Sequence, residues 1–220
     1  LIIDQLKKNQ ILDLLKEGKR VDGRQFDEPR KLTIDIGVIP KAEGSARARL
    51  GDTEVVAGVK VQPERPFPDT GDKGMLICTA EILPIAHPSA ETGPPQPPVV
   101  ELARVTDRGI RESGMLDMKQ LVLEKDKSVI GVFCDNAVTD HDGNLFDACS
   151  YASTAAINSC KIPKYEMQDE KPVKIEGEFI EPPITTLPVS VTMAKIGGFI
   201  LVDPTIEEWG IMDARITITS

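Results

Sequence analysis

Arg104, Arg108 and Arg111 are spaced i, i+4, i+7 within Val99–Met115, a segment that reads as one helix. Helical residues advance by about 100° each, so these guanidinium groups line one face, while Val99, Leu102, Ala103, Thr106, Gly109 and Ile110 gather on the other. A guanidinium is a planar fork of donors that suits phosphate oxygens, and three in a row suit a polyanion. Glu101, Asp107 and Glu112 lie among them, so a plain solvated face is the competing reading.

Two acidic groupings point to other chemistry. Asp140-His141-Asp142, with Asp135 and Asp147 nearby, has donors for a divalent metal held through oxygens and an imidazole. Adjacent residues rarely point at one ion, and Asp142-Gly143-Asn144 before a helix is also ordinary turn and N-cap chemistry, so a cap is preferred and no metal is expected. Asp203, Glu207, Glu208 and Asp213 form an acidic string. Paired carboxylates act as general acid and base or hold a metal; a solvated turn between strands is the alternative. There is no glycine-rich phosphate loop, HExxH or GxSxG. His87, beside Pro88, reads as a loop residue without a role.

The 220 residues are 40% hydrophobic and 28% charged, an ordinary globular balance with material for a sizeable core. A net charge of −9 argues against nucleic-acid binding by the chain's overall field. RNA contact would need a local basic surface, from the arginine line or a partner. No apolar run approaches a membrane span, and no basic-then-apolar leader opens the chain. Cys78, Cys134, Cys149 and Cys160 are scattered, with no CxxC pair. The expectation is reduced thiols in a cytoplasmic protein without membrane contact.

The elements that must position these groups follow from periodicity. Leu1–Glu17 predicts an amphipathic helix with Ile3, Leu6, Gln10, Ile11, Leu14 and Leu15 on its apolar side, stopped at Gly18. Leu32–Val38 alternates as a half-buried strand. Ser45–Leu50 and Thr53–Gln62 form a hairpin about Gly51-Asp52, with Arg47 and Arg49 sharing a face. Pro63–Gly74 reads as a loop. Gly74–Leu83, apolar on both faces, predicts a strand inside the sheet. Glu91–Pro98 is too rich in proline for a helix or inner strand and reads as a stiff connector. Lys119–Glu124 and Val129–Val138 predict a strand pair, and Asn144–Ser159 a buried helix of small residues. Lys161–Pro188 is a proline-broken polar excursion, and Val189–Lys195, Phe199–Val202 and Arg215–Thr219 are closing strands. Strand blocks separated by helices predict an α+β fold, and the β-block/helix order occurs twice, as in two similar halves of one domain over residues 1–220.

Arg20-Val21-Asp22-Gly23-Arg24, Ala42-Glu43-Gly44-Ser45-Ala46 and Gly51-Asp52-Thr53-Glu54-Val55 resemble the opening of RNase PH-like proteins. Such phosphorolytic exoribonucleases shorten RNA from its 3′ end with inorganic phosphate. Glu101–Ser113 is similar to the family's helix after the proline loop. Leu201-Val202-Asp203-Pro204-Thr205-Ile206-Glu207-Glu208 resembles the catalytically inactive RNase PH-like ring subunits of the archaeal exosome and their eukaryotic relatives. The resemblance, from about residue 10 to 220, implies the ribosomal protein S5 domain 2-like α+β fold. Such chains usually continue through another strand and a C-terminal helix, whereas this sequence stops at Ser220, just after a strand.

Phosphorolysis needs a pocket for inorganic phosphate, with N–H groups and a cation. Active members of the family place Gly-Thr-Arg at the mouth of the second helix, where this chain has Asn144-Leu145-Phe146. Of the acidic positions of active members, aligned through Trp209 and Asp213, this chain has Leu201, Asp203 and Glu207, the first carboxylate being a leucine. The resemblance therefore implies a chain with no catalytic residue or cofactor of its own. It would scaffold a ring of three heterodimers with a catalytic RNase PH-like subunit, whose site uses phosphate and magnesium. Arg104, Arg108 and Arg111 would hold single-stranded RNA 3′ ends, and RNA-binding cap subunits would complete the assembly. A phosphorolytic nuclease, or a metal-dependent hydrolase using Asp140, His141 and Asp142, active on its own, is the alternative.

Overall fold

A computed structural model describes residues 2–90, 93–168 and 171–220. Leu1, the side chain of Ile3, Glu91 and Thr92 of the connector, and Asp169 and Glu170 of the excursion lie outside the described residues. The architecture is α+β. A six-stranded sheet and a three-stranded sheet enclose a layer of two long helices.

The first sheet runs β1 (Leu32–Ile36), β2 (Gly44–Leu50), β3 (Thr53–Glu64), β6 (Ser128–Asp140), β4 (Met75–Ile82), and β5 (Val122–Glu124) also pairs with β6. Every pairing is antiparallel except β4 with β6. Helices α2 (Pro97–Glu112) and α3 (Leu145–Asn158) pack on this sheet. Alanine governs the α3 contact: Ala46, Ala48 and Ala57 of the sheet and Ala148, Ala152 and Ala156 of the helix are all fully buried. Side chains this small let the backbones approach closely. At Gly44 a Cβ would stand 2.3 Å from the carbonyl oxygen of Ala156 and 2.7 Å from the Cα of Cys160.

On the other side of α3 lies the second sheet, β10 (Phe199–Val202), β9 (Ser190–Ile196), β11 (Ala214–Thr219). Its inner face is a ladder of hydroxyl groups. Ser190 bonds Ser150 and Thr219, and Thr192 bonds Thr217 and Asp147. Its outer face is apolar and uncovered: Ile200, Ile216 and Ile218 are 62%, 55% and 50% exposed. The hairpin of β7 (Ile162–Gln168) and β8 (Lys171–Ile180) occupies the excursion. The short helix α4 (Ile206–Trp209), which periodicity did not reveal, lies between β10 and β11.

Several expectations are corrected. The strand from Gly74 is an outer strand, since β4 pairs with β6 alone. Side chains of α2 attend to it instead: the N–H of Cys78 donates to Asp107 at 3.2 Å, and Arg111 donates to the carbonyl of Leu76 at 2.7 Å. β1 is exposed along its length, because it is the sheet's other outer strand and its apolar row Leu32, Ile34, Ile36 is left uncovered. Pro97 and Pro98 belong to α2, whose first turn needs no amide donors. β3 runs through Pro63 to Glu64, and only Val122–Glu124 of the segment from Lys119 is strand. Met118–Leu121 forms a 3₁₀ turn, with Asp117 accepting from the N–H of Lys119. In α1 (Ile2–Lys16), Ile11 and Leu15 dock against Ile196 and Leu201, whereas Leu6 is 64% exposed.

Gly44→Ala is expected to cost about 1–3 kcal/mol through overpacking. Urea denaturation would show it as a lowered midpoint with an unchanged slope.

Candidate functional site

The loop that leaves β10 turns at Asp203, whose φ of +52° is unusual for a residue with a side chain. Its carboxylate is 1% exposed and accepts five hydrogen bonds. The backbone N–H, Nε and Nη2 of Arg30 donate at 2.8, 2.9 and 2.8 Å, Nη1 of Arg24 at 3.1 Å, and Nδ2 of Asn144 at 2.7 Å. Burial works to raise the Asp203 pKa; the bonds and charge of Arg30 override it and hold the group below the ordinary carboxylate value.

Two neighbouring contacts fix this arrangement. Arg20 and Glu208, both fully buried, form a two-pronged ion pair at 2.6 and 3.0 Å. Arg20 also donates to the carbonyls of Val202 and Asp203 at 2.9 and 3.0 Å. Glu208 closes a capping box with Thr205 at the start of α4. Arg30 extends to the carbonyls of Asp142 at 2.8 Å and Gly143 at 3.3 Å, in the turn before α3. Gly143 is required there, since its φ is +96° and a Cβ would lie 2.5 Å from the Thr205 backbone.

Asn144 occupies the N-cap position of α3, fully buried and with φ +45°, but its side chain makes no capping bond. It bridges Asp147 and Asp203, at 2.7 Å to each. The expected cap is thus corrected to a bridge between two carboxylates. Asp147 also accepts from the N–H and hydroxyl of Thr192. Burial dominates its titration and lifts its pKa to about 6 against the bonds it accepts. The mouth of the helix therefore holds acidic side chains of the chain itself.

Leu145 and Phe146, 7% and 5% exposed, face a cavity of about 360 Å³ walled by Ile82, Leu102, Trp209 and Met212. Phe146 and Trp209 stack at 5.8 Å, and the Arg215 guanidinium lies 4.2 Å from the centre of the Phe146 ring. Arg215 is also ion-paired to Glu101. The three acidic-site positions do not converge: Leu201 lies in the core with Ile196, Asp203 is bound by arginines, and Glu207 is exposed.

The grouping around His141 disperses as well. Asp135 accepts from Thr79, and Asp147 faces the second sheet. His141 sits against His87, ring centres 5.9 Å apart. Burial, with the charges of His87 and Arg30, lowers its pKa to about 4. Among the described residues no three His, Cys, Asp or Glu side chains are placed to hold a metal. The four cysteines are buried and unpaired by disulfides.

The arginine line divides. Arg104 and Arg108 are exposed and make no hydrogen bond or ion pair among the described residues. Arg111 is held by Asp107 at 2.8 Å and by the Leu76 carbonyl. The residues that spacing did not single out are Arg30, Trp209 and Arg215. Arg20 and Arg24 stood out only as part of a motif. Arg30 lies 173 positions from Asp203, so no local pattern announces their meeting.

Two buried groups set opposing pH dependences. Asp147 holds its proton more tightly folded than unfolded, so its stabilising contribution grows as pH falls through about 6 and is complete below 3.8. His141 holds its proton less tightly folded, so its contribution is full above 6.5 and is lost as pH falls toward about 4. Asp147→Asn is therefore expected to make acidification from about pH 7 to 4.5 more destabilising than in the parent chain, and His141→Gln less so, each by about 1–2 kcal/mol. Urea midpoints at the two pH values measure both.

Comparison with known proteins identifies the family. Residues 28–163 match domain 1 of the 3′ exoribonuclease family, RNase PH, and residues 186–220 match its domain 2. The chain is 48% identical over 220 residues to the exosome complex component Rrp42 of Thermococcus onnurineus, covering all of this chain and 81% of that protein. With the Methanopyrus kandleri Rrp42 it shares 45% identity over 219 residues, 99% of this chain and 82% of the relative. Among solved structures it superposes on a chain of the Archaeoglobus fulgidus exosome with RNA bound to the active site. The TM-score is 0.91 at 47% identity, with 100% of this chain and 84% of that one covered. An archaeal exosome core gives 0.85 at 44% identity, covering 100% and 81%. Matched by both family domains and by full-span relatives, the chain belongs to the 3′ exoribonuclease family of RNase PH.

Proposed function

We propose that this chain is a non-catalytic ring subunit of an archaeal-type exosome, supporting a phosphorolytic 3′–5′ exoribonuclease partner. The observation that carries this reading is the mouth of α3. A phosphate-binding site there would need open N–H groups and a free cation. Arg24 is instead paired with Asp22 and Asp203 and Arg30 with Asp142 and Asp203, Asn144 is spent on two carboxylates, and Phe146 lies under Arg215. A second anion at this point would meet Asp147 and Asp203, and no side chain offers it a free charge.

The surface supports the assembly half of the proposal. The uncovered apolar row of β1 and the uncovered outer face of β9–β11 belong to different sheets. A subunit in a closed ring meets a neighbour on each side, so it needs two unlike faces. In this reading the neighbours are catalytic RNase PH-like subunits, three pairs close the ring, and cap subunits bring further RNA contacts. Phosphate and magnesium serve the partner's site. Among the described residues no helix is long and apolar enough to cross a membrane, and we place the complex in the cytoplasm.

Within the ring, Arg104 and Arg108 bind the phosphates of a single-stranded RNA 3′ end. Arg111, tied to Asp107 and Leu76, fixes the helix that presents them. Phosphate contacts grip without reading sequence, which suits a subunit that feeds any RNA to its partner.

The chain alone, given RNA, magnesium and inorganic phosphate, is expected to release no nucleoside diphosphates; their release would overturn the reading. In a ring reconstituted with a catalytic subunit, Arg104→Ala/Arg108→Ala is expected to weaken RNA binding about tenfold or more at moderate salt, with stability unchanged. Arg111→Ala is expected to do the reverse, losing about 1–3 kcal/mol of stability through the unpaired edge of β4. Filter binding and thermal melts separate the two effects.

A further inference from the structure

Strand β4 ends the first sheet, and part of its outer edge is unpaired. Just past it the N–H of Leu83 donates to Val138 at 3.1 Å, so odd-numbered residues of this stretch turn their backbone groups toward β6. Even-numbered residues turn theirs away. Leu76 and Cys78 meet Arg111 and Asp107 there. Ala80 and Ile82 follow in the same phase, and no side chain among the described residues reaches their backbone. Both line a cavity of about 580 Å³.

Two more donors stand in that cavity. Nδ1 of His87 accepts from the N–H of Ser89, and Nδ1 of His141 from the N–H of Gly143, each at 3.2 Å. In a neutral ring the proton then sits on Nε2, and burial keeps His141 neutral. Neither Nε2 makes a hydrogen bond among the described residues. The rings lie beyond the end of the edge, where the N–H of His141 donates to Ala86 at 3.1 Å. Backbone donors and acceptors along a free edge are what another strand needs.

The walls select its side chains. Ala80 and Ile82 pack toward the core and share the cavity with Pro98 and Val99 of α2, an apolar surface. The other face of β4 carries Glu81, exposed and without an ion pair among the described residues. Beside it on β6 stands exposed Asp135, which accepts from Thr79 at 2.6 Å. Among the described residues no Lys or Arg lines the cavity, so a nucleotide phosphate would meet Glu81 and no cation.

We propose that this edge takes an extended segment of a partner protein as an added strand, its apolar side chains turned toward Ile82 and Val99 and basic side chains alternating with them beside Glu81 and Asp135. Pairing with the backbone of Ala80 and Ile82 supplies the grip. His87 and His141 donate to carbonyls of the segment, and a net charge of −9 favours a basic visitor.

The test uses the full chain and fluorescence anisotropy at moderate salt, with a labelled peptide of four Val-Lys repeats as the probe. A second peptide, with the same eight residues in two blocks, keeps the charge and loses the alternation. A third is N-methylated at every peptide bond and loses its backbone donors. The parent chain is expected to bind the alternating peptide about tenfold more tightly than either control. Ala80→Pro removes an outward N–H that β6 does not use, and it should bring the alternating peptide down to the level of the controls. Glu81→Gln should weaken binding about two- to fivefold. Equal binding of the three peptides, no binding, or an affinity unmoved by Ala80→Pro overturns the proposal. If Ala80→Pro fails to fold, the N-methylated peptide decides the matter on the unaltered chain. Displacement of the probe by oligoadenylate after Arg104→Ala/Arg108→Ala would assign the cavity to nucleic acid and overturn it as well.

Discussion

A buried carboxylate must be matched by positive charge and hydrogen bonds, or it will not stay ionised. Asp203 meets that condition with Arg24, Arg30 and Asn144, and in doing so it joins three distant parts of the chain. The loop after α1 supplies the arginines, the turn before α3 supplies the amide, and the second sheet supplies the acid. Arg20 and Glu208 repeat the arrangement one step away. Neither pair works as a surface ion pair would. Removing one member leaves the other charged in a dry site, which is costly, so the loop over residues 20–30 and the β10–α4 turn are held as one body.

The same arrangement decides what the mouth of α3 can accept. The amide end of a helix favours negative charge, and in RNase PH-like enzymes that preference would be available to inorganic phosphate. In this chain the negative charge is internal. Asp147 in the first turn and Asp203 across from it satisfy the helix end and the arginines together, and Asn144 adopts a left-handed backbone to reach both. Phe146, Trp209 and Arg215 then close the adjoining space with an aromatic and cationic stack. In a chain with a net charge of −9, the two exposed guanidiniums on α2 are distinguished by sharing one helical face without an acidic partner among the described residues.

Legibility in the sequence followed the range of the forces involved. Period-two and period-3.6 patterns located most strands and helices, because side-chain direction is fixed locally. The expectation that Asn144–Phe146 departs from a phosphate-binding tripeptide was also drawn from local sequence. What filled the gap was not, for it depends on Arg30 meeting a residue 173 positions away. Misreadings of burial have a similar origin. Leu32, Ile34 and Ile36 alternate as a buried row should, yet β1 ends its sheet with that row uncovered. The strand from Gly74 looked internal because it is apolar on both faces, whereas its free edge is served by Asp107 and Arg111 from α2. The arginine line was correct as a helical face, but spacing cannot show that its last member faces a strand edge.

Where it faces α3 the second sheet turns hydroxyl groups inward, Ile196 and Leu201 being buried against α1 instead, while Ile200, Ile216 and Ile218 point outward. The inner arrangement is sustained because Ser190, Thr192, Thr217 and Thr219 satisfy one another and Ser150, so little apolar burial is needed on that side. The outer arrangement has no such internal compensation. Exposed apolar area of this kind is tolerated where a neighbouring chain removes it from water, and an open sheet edge such as β1 is a place where another strand can add its hydrogen bonds. Polarity inside and apolar rows outside are thus two consequences of one demand: the fold must stand before its neighbours arrive, yet keep its unsatisfied surface for them.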